Sequence, residues 1–510
     1  MLSRALVRNE RLKMYKRPST WVLMGIIVVM TLFNLIISLM LYSSYDSFNR
    51  TWQEQYNDWI VNFQHQLKEN PEDYYTQQSL ESLKYLLENE IPPQDWRTDV
   101  VFAYYDLKAG RRGNTETNPG KTQIIIREDG YIPDGETGEN LPDLTEEERD
   151  GRLEKLQKIL KNNDWREYIK LQIDDIKSGY RIIPSKNEHE KQVFIEVYEL
   201  YLKESIVPVA ESMNRYYYNY GQNSNESETW KSSQIERIKN YKLNLLRGEN
   251  DNGELLTKTM RKAIEREIEI SLTRLRTNTP EINPDSFLGF LETAGTMSEL
   301  FAILLIIYAS GIFASEYTSG TIKLLLITPH RRQKIFWSKI YVLLELIIIA
   351  VAANFILAFL LSGVFKSFEG LGQMQVFPLF GSIIRIPYIL YIIIKYVMMI
   401  IPVLVYGTLA VMLAVVTRKN SVAIAVALML VFGNELIITI LAALRSLFVI
   451  PGIKFLLFAN TNLANYLSIN GMSGLVDTTM TLGFSLAVLL IYMVCFLWVA
   501  RDSFCRRDVK

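Results

Sequence analysis

Residues 20–45, TWVLMGIIVVMTLFNLIISLMLYSSY, run for 26 positions without a charged side chain. At about 1.5 Å per residue such a helix outreaches the roughly 30 Å hydrocarbon core of a bilayer. A cleavable signal peptide is the rival reading. The apolar run is too long for a signal sequence, and no small-x-small cleavage pattern follows it. The stretch reads as a first transmembrane helix over residues 20–44.

Five more apolar segments follow the same logic, at residues 288–314, 340–364, 388–417, 421–444 and 479–500. The fourth span is long enough to tilt or to break at Pro402. Residues 448–458 are apolar but short and contain Pro451 and Gly452, so they read as a re-entrant or interfacial piece of the 445–478 loop. The expected fold is an α-helical polytopic membrane protein with six transmembrane helices.

Between the first and second spans lies an insert of domain size, residues 45–287. Apolar residues recur at helical spacing over 146–161, 165–177, 191–220, 230–246 and 255–275, and Thr145 with Glu148 forms a capping-box pattern. Residues 109–142 are rich in Gly, Asn, Thr and Pro, and TQIIIR (122–127) reads there as a short strand. The insert is therefore expected to be mostly α with a small β element. Its paired tyrosines, such as Tyr104-Tyr105, read as core or interface packing, with a sticky surface as the alternative. The segment TETNPGKT (115–122) is not a phosphate-binding loop, because Thr115 replaces the first glycine and a strand-like run replaces the required helix.

The chain carries 55 basic and 55 acidic residues, unevenly placed. Residues 44–288 hold 33 basic against 45 acidic, leaving 22 against 10 for the rest, so the basic part is also the apolar part. That combination points to a membrane and away from nucleic acid. The two cysteines, Cys495 and Cys505, lie outside the insert, which is therefore held by packing alone. The three histidines are scattered without metal-ligand spacing.

Basic clusters precede the first span (Arg4 to Arg17), follow the second (Lys323 to Lys339), separate the fourth from the fifth (Arg418, Lys419) and follow the sixth (Arg501 to Lys510). With an even number of spans all four fall on one side. The positive-inside rule makes that side the cytoplasm, with both termini inside and the insert extracellular.

The loop at 315–339 carries the functional signal: SEYTSGTIKLLLITPHRRQKIFWSK. Glu316 stands where the span leaves the membrane, Gly320, Thr321 and Lys323 lead an apolar run, Pro329 breaks it, and Arg331 and Arg332 precede Lys339. Physically this is a short amphipathic helix on the membrane surface, then a turn, then a new span. The pattern E-x-x-x-G-T, L-x-x-x-P-x-R and a lysine opening the next span resembles the coupling segment of ABC-2 type transport permeases. Glu10 and Lys13 ahead of Pro18 are similar to that family's amphipathic elbow helix, here residues 1–19, and FCRRD (504–508) to its basic tail, here residues 501–510. The resemblance implies a permease subunit of an ATP-driven ABC exporter in the cell membrane. A separate ABC ATPase would bind ATP and Mg, leaving no cofactor in this chain, and would dock on Glu316, Gly320, Thr321, Lys323, Pro329, Arg331, Arg332, Arg418 and Lys419. It further implies a second permease, identical or related, and an amphipathic cargo such as a peptide, antibiotic or lipid.

Glu299, Glu345, Lys395, Asn434 and Glu435 fall inside predicted spans, where an unpaired charge is costly and each must face protein or water. Depth along the spans places Lys395 near Glu299 and Glu435, so either carboxylate is its expected partner; Glu345 is expected near the inner interface. A receptor or scaffold acting through its extracellular domain is the alternative function, though it leaves six spans and the 316–339 pattern unexplained. A membrane-embedded enzyme is weaker still, since no nucleophile–base set or metal constellation stands in the spans.

Overall fold

The computed structural model describes residues 4–46, 51–108, 145–180, 187–210, 226–250, 253, 255–284, 286–295, 298–318, 331–447, 452–467 and 480–506. The fold is mostly helical, with, among the described residues, five helices long and apolar enough to cross a membrane and one two-stranded sheet. It divides into two compact units: residues 1–42, 258–263 and 281–510 form one, residues 43–257 and 264–280 the other.

Helix α1 (Arg4–Lys16) is amphipathic and separated by a single residue from α2 (Pro18–Asp46). Pro18 has no amide hydrogen to lose at the start of a helix, and its ring cannot continue the previous one. The bend is capped from the far side. Thr20 Oγ1 donates to the Met14 carbonyl at 2.7 Å and Trp21 Nε1 to the Tyr15 carbonyl at 3.0 Å. These are two of the carbonyls that the end of α1 leaves without an intrahelical donor.

The second unit contains α3 (Trp52–Glu69), α4 (Tyr74–Glu88), α5 (Arg97–Lys108), α6 (Glu146–Asn162), α7 (Trp165–Lys177), α8 (Glu188–Lys203), α9 (Glu226–Arg247) and most of α10 (Lys258–Thr277). Neighbours in sequence pack on one another, α3 on α4, α4 on α5, α7 on α8 and α8 on α9. Capping boxes start α3 (Thr51, Glu54) and α6 (Thr145, Glu148), the second as the sequence predicts. Tyr104 and Tyr105 are ring neighbours, and Tyr105 meets Tyr85 in turn, so this tyrosine pair packs within the unit. Arg247 grips the buried Glu190 in two-pronged fashion, Nε to Oε1 at 3.1 Å and Nη2 to Oε2 at 3.0 Å.

The membrane unit resumes with α11 (Phe287–Gly295), α12 (Ser298–Thr318) and α13 (Arg332–Lys366). A hairpin follows, β1 (Met374–Leu379) and β2 (Ser382–Pro387), then α14 (Tyr388–Thr417), α15 (Asn420–Leu447), three short 3-10 turns between Ile453 and Leu467, and α16 (Leu482–Arg506). Helix α14 is the hub, packing on α12, α15 and α16. At Gly407 it approaches α12 so closely that an added Cβ would lie 2.6 Å from Leu305 Cδ2.

Among the described residues, five of the six predicted spans contain candidates by length and composition: Pro18–Met40, Leu300–Tyr317, Arg332–Lys366, Tyr388–Thr417 and Leu482–Arg506. The predicted fifth span, 421–444, is helical in α15, but its described apolar stretch is the shorter Asn420–Asn434. The predicted second span, 288–314, is helical over its described residues, in α11 and α12, and residues 296–297 lie outside the described residues. The small sheet is in the 365–387 loop; the predicted strand at 122–127 and the rejected phosphate loop lie outside the described residues. The hairpin escapes a reading by alternation because MQVFPL and SIIRIP are nearly continuous apolar runs, each interrupted by proline.

Candidate functional site

Four charged side chains from three separate elements meet at one end of the membrane unit. Lys339, in the second turn of α13, is 1% exposed at its side chain. Its Nζ donates to Glu316 Oε1 at 2.6 Å, in the last turn of α12, and to Glu10 Oε2 at 3.0 Å on α1. Lys13 stands one helical turn beyond Glu10, 3.1 Å from Glu10 Oε1 and 3.5 Å from Glu316 Oε1. Two ammoniums and two carboxylates thus alternate and sum to zero charge. Glu10 and Met14 form the buried face of α1, four residues apart as helical periodicity requires. Below the cluster, Phe313, Phe336 and Phe504 pack ring against ring and bring the end of α16 to the same place. Lys339 Nζ is 5.9 Å from the Phe313 ring centre.

Flanking contacts tighten this end. Arg11 holds Glu345 through Nε and Nη2, at 2.9 to 3.2 Å. Arg17 reaches Ser315 Oγ at 3.4 Å. Arg418, in the left-handed conformation that ends α14, places its guanidinium 5.5 Å over the Tyr317 ring.

Burial raises the Glu10 carboxyl, but the neighbouring Lys339 and Lys13 outweigh it, so its pKa lies below the usual carboxylate value. A carboxylate with a lowered folded-state pKa stabilises the fold above its unfolded value, and that contribution disappears as pH falls through the folded value. The unfolding midpoint of Glu10→Gln is therefore expected to trail wild type fully at neutral pH. The gap closes only below the ordinary carboxylate range; a pH series of thermal melts reads it, and a gap independent of pH refutes it.

A second polar cluster surrounds α11. Lys395 Nζ lies 2.5 Å from Glu292 Oε1, and Tyr388 Oη donates to the other oxygen of the same carboxylate. Three α11 carbonyls also accept from outside: Phe287 from Ser362 at 2.8 Å, Leu291 from Tyr396 at 3.3 Å and Ala294 from Asn354 at 3.3 Å. Asn354 also accepts from Thr31 of α2 at 2.8 Å, so one amide ties three helices. The start of α11 is equally constrained. A Cβ at Gly289 would lie 2.3 Å from the Asn283 carbonyl oxygen and 2.5 Å from that of Pro284, backbone atoms that cannot step aside. Gly289→Ala is expected to destabilise the membrane unit by about 1–3 kcal/mol, the usual range for overpacking. A melting midpoint equal to wild type overturns this.

The structure joins some predicted site residues and separates others. Glu10, Lys13 and Glu316 share one cluster, and Arg418 reaches Tyr317 beside it. Glu316, expected on a docking surface, is only 6% exposed, because its carboxylate is drawn inward by Lys339. Arg331 and Lys419 are exposed, whereas Arg332 is half-buried and donates to the Cys505 carbonyl at 3.2 Å. Gly320, Thr321, Lys323 and Pro329 lie outside the described residues, as do the side chains of Glu299 and Glu435. Lys395 pairs with Glu292, a partner other than the expected Glu299 or Glu435, on α11, which packs against α14. Glu345 pairs with Arg11, and Asn434 Oδ1 accepts from Thr461 at 3.2 Å. Glu292, Tyr388 and Asn354 escape the sequence reading of sites, and Lys339 enters it only as the lysine that opens the third span; a carboxylate in an apolar segment is the available signal for Glu292.

With the spans and the two polar clusters in place, comparison with other proteins becomes informative. Residues 275–510 match the family described as Protein of unknown function (DUF2705). The chain is a membrane protein. The matched DUF2705 region takes in Glu292, Glu316, Lys339 and Lys395, while Glu10 and Lys13 lie before it. The chain is 29% identical over 231 residues to the uncharacterized membrane protein YdbK of Bacillus subtilis (strain 168), covering 44% of this chain and 85% of that protein. It is 29% identical over 238 residues to the uncharacterized protein YhcI of the same organism, covering 46% and 73%. No solved structure matches.

Proposed function

We propose that this chain is the membrane-spanning permease subunit of an ATP-driven ABC exporter, hydrolysing no ATP itself and working with a separate ATPase and a second permease. The reading rests on one observation above the others: Glu316 and Lys339 flank residues 319–330 and are bonded to each other at 2.6 Å, with Glu10 of the elbow helix on the same lysine. A load applied to that loop therefore reaches α1, α12 and α13 together. A coupling segment needs this: a contact on one side of the membrane that biases packed helices between two arrangements. Exposed Arg331 directly follows residues 319–330 and exposed Lys419 stands between α14 and α15; both suit an ATPase surface, and the elbow end then faces the cytoplasm. The cargo is amphipathic, a peptide, antibiotic or lipid.

The test is affinity purification of the tagged full chain from membranes of its own source, followed by vanadate-sensitive ATP hydrolysis. The expected result is a co-purifying ATPase whose turnover responds to charge reversal at Arg331 and Lys419. A purified complex without a nucleotide-binding chain refutes the reading and favours the receptor or scaffold alternative.

A further inference from the structure

The turn of the β1–β2 hairpin carries a residue that the chain itself does not use. Leu379 pairs with Ser382, leaving Phe380 and Gly381 as a two-residue turn. Both have positive φ, +48° and +91°. That is the pattern of a type I′ hairpin turn, whose first position is normally Asn, Asp or Gly. A bulky residue is uncommon there, and such backbone strain persists where a function outside local stability retains it. The Phe380 ring is 70% exposed, so it does not recover the strain by packing inside the chain.

The surroundings indicate what meets it. The hairpin does not stand free: Phe377 is fully buried against Tyr391, and Leu379, Ile384 and Ile386 pack on the core of the membrane unit. Leu379 is the residue next to the tip, so the hairpin is held to the helical bundle up to the base of its turn while the turn itself stays exposed. The hairpin begins eight residues after α13 ends and runs directly into α14. On α13, Ile356, Leu360 and Val364 are exposed one turn apart, the face a span turns to lipid, and exposed Phe365 and Phe368 extend it toward the hairpin. Arg385 on β2 is exposed and suits a phosphate headgroup.

We propose that Phe380 is a membrane anchor: the hairpin lies at the bilayer surface with the tip ring inserted at the headgroup–acyl boundary, continuing the lipid-facing surface of α13. Interfacial insertion of an aromatic side chain beside a cationic one fits this surface. The inference requires only that the chain is a membrane protein and is independent of the transport reading.

The test uses the full chain in phospholipid vesicles. Phe380→Cys is made with Cys495→Ser and Cys505→Ser, and labelled with an environment-sensitive fluorophore. Acyl-chain-brominated lipids are expected to halve the emission or more, with little effect of aqueous iodide. Quenching by iodide without quenching by brominated lipid overturns the anchor, and so does quenching by neither, which means a ring covered by protein. Phe380→Asn supplies the second readout. Asn suits positive φ, so the unfolding midpoint in detergent is expected to hold or rise; a fall shows that the ring packs within the chain and refutes the proposal.

Discussion

Lys339→Met is expected to cost about 3–5 kcal/mol of stability, the range seen when one partner of a buried ion pair is removed. The reasoning is local. Among the described residues, Lys339 alone touches both Glu10 and Glu316 from a fully buried position, with side chains at 1%, 9% and 8% exposure. Lys13 remains, but it is 41% exposed and farther from Glu316, at 3.5 Å. Removing Lys339 leaves two carboxylates close together in a poorly hydrated site with one half-solvated counter-charge. Two consequences separate this from general damage. Adding Glu10→Gln and Glu316→Gln to Lys339→Met is expected to restore most of the melting midpoint, since no buried carboxylate is then orphaned and the one remaining charge, Lys13, is half-solvated. The deficit of the single variant is also expected to shrink as pH falls, because the orphaned carboxylates take up protons. A Lys339→Met protein that melts with wild type overturns the account.

Lys395→Met is expected to destabilise the membrane unit by about 3 kcal/mol, the low end for removing one partner of a buried ion pair, since this pair is partly exposed. Among the described residues Glu292 then keeps Tyr388 as a partner, and one phenolic hydrogen bond does not replace an ammonium at 2.5 Å. Glu292→Gln in the same chain relieves the uncompensated charge. The reversal Glu292→Lys with Lys395→Glu is expected to recover stability that either reversal alone loses. If the double reversal is no better than the singles, Glu292 and Lys395 do not act as a pair.

The sequence made some features legible because one physical rule dominated each of them. Residues 388–417 are apolar, uncharged but for Lys395, and bounded by Pro387 and Arg418, and helix α14 has those limits. Pro18 marks the elbow boundary because proline starts a helix and cannot extend the previous one. The pairings were harder. Depth along the spans points to Glu299 and Glu435 for Lys395, whereas the packing of α11 on α14 brings Glu292 to it. Glu316 was read as a surface contact because it sits at the mouth of a basic loop; nothing local says that Lys339, 23 residues on, is buried and turns it inward. Asn354 gives no signal beyond a polar residue in an apolar run, yet it joins α2, α11 and α13. Long-range geometry decides such partners, and periodicity carries none of it.

The same long-range bonds set a timetable for biosynthesis. Thr31 and Asn354 are 323 residues apart, and Glu10 and Lys339 are 329 apart. At about 5–20 residues per second, a ribosome needs roughly 15–70 s between making the first and second member of each pair. Throughout that interval α2 sits in the bilayer without its Asn354 contact and α1 carries Glu10 without Lys339, while the whole inserted unit is synthesised. Helices α1 and α2 are therefore made well before the partners that lock them, and a chaperone or insertase has a long opportunity there.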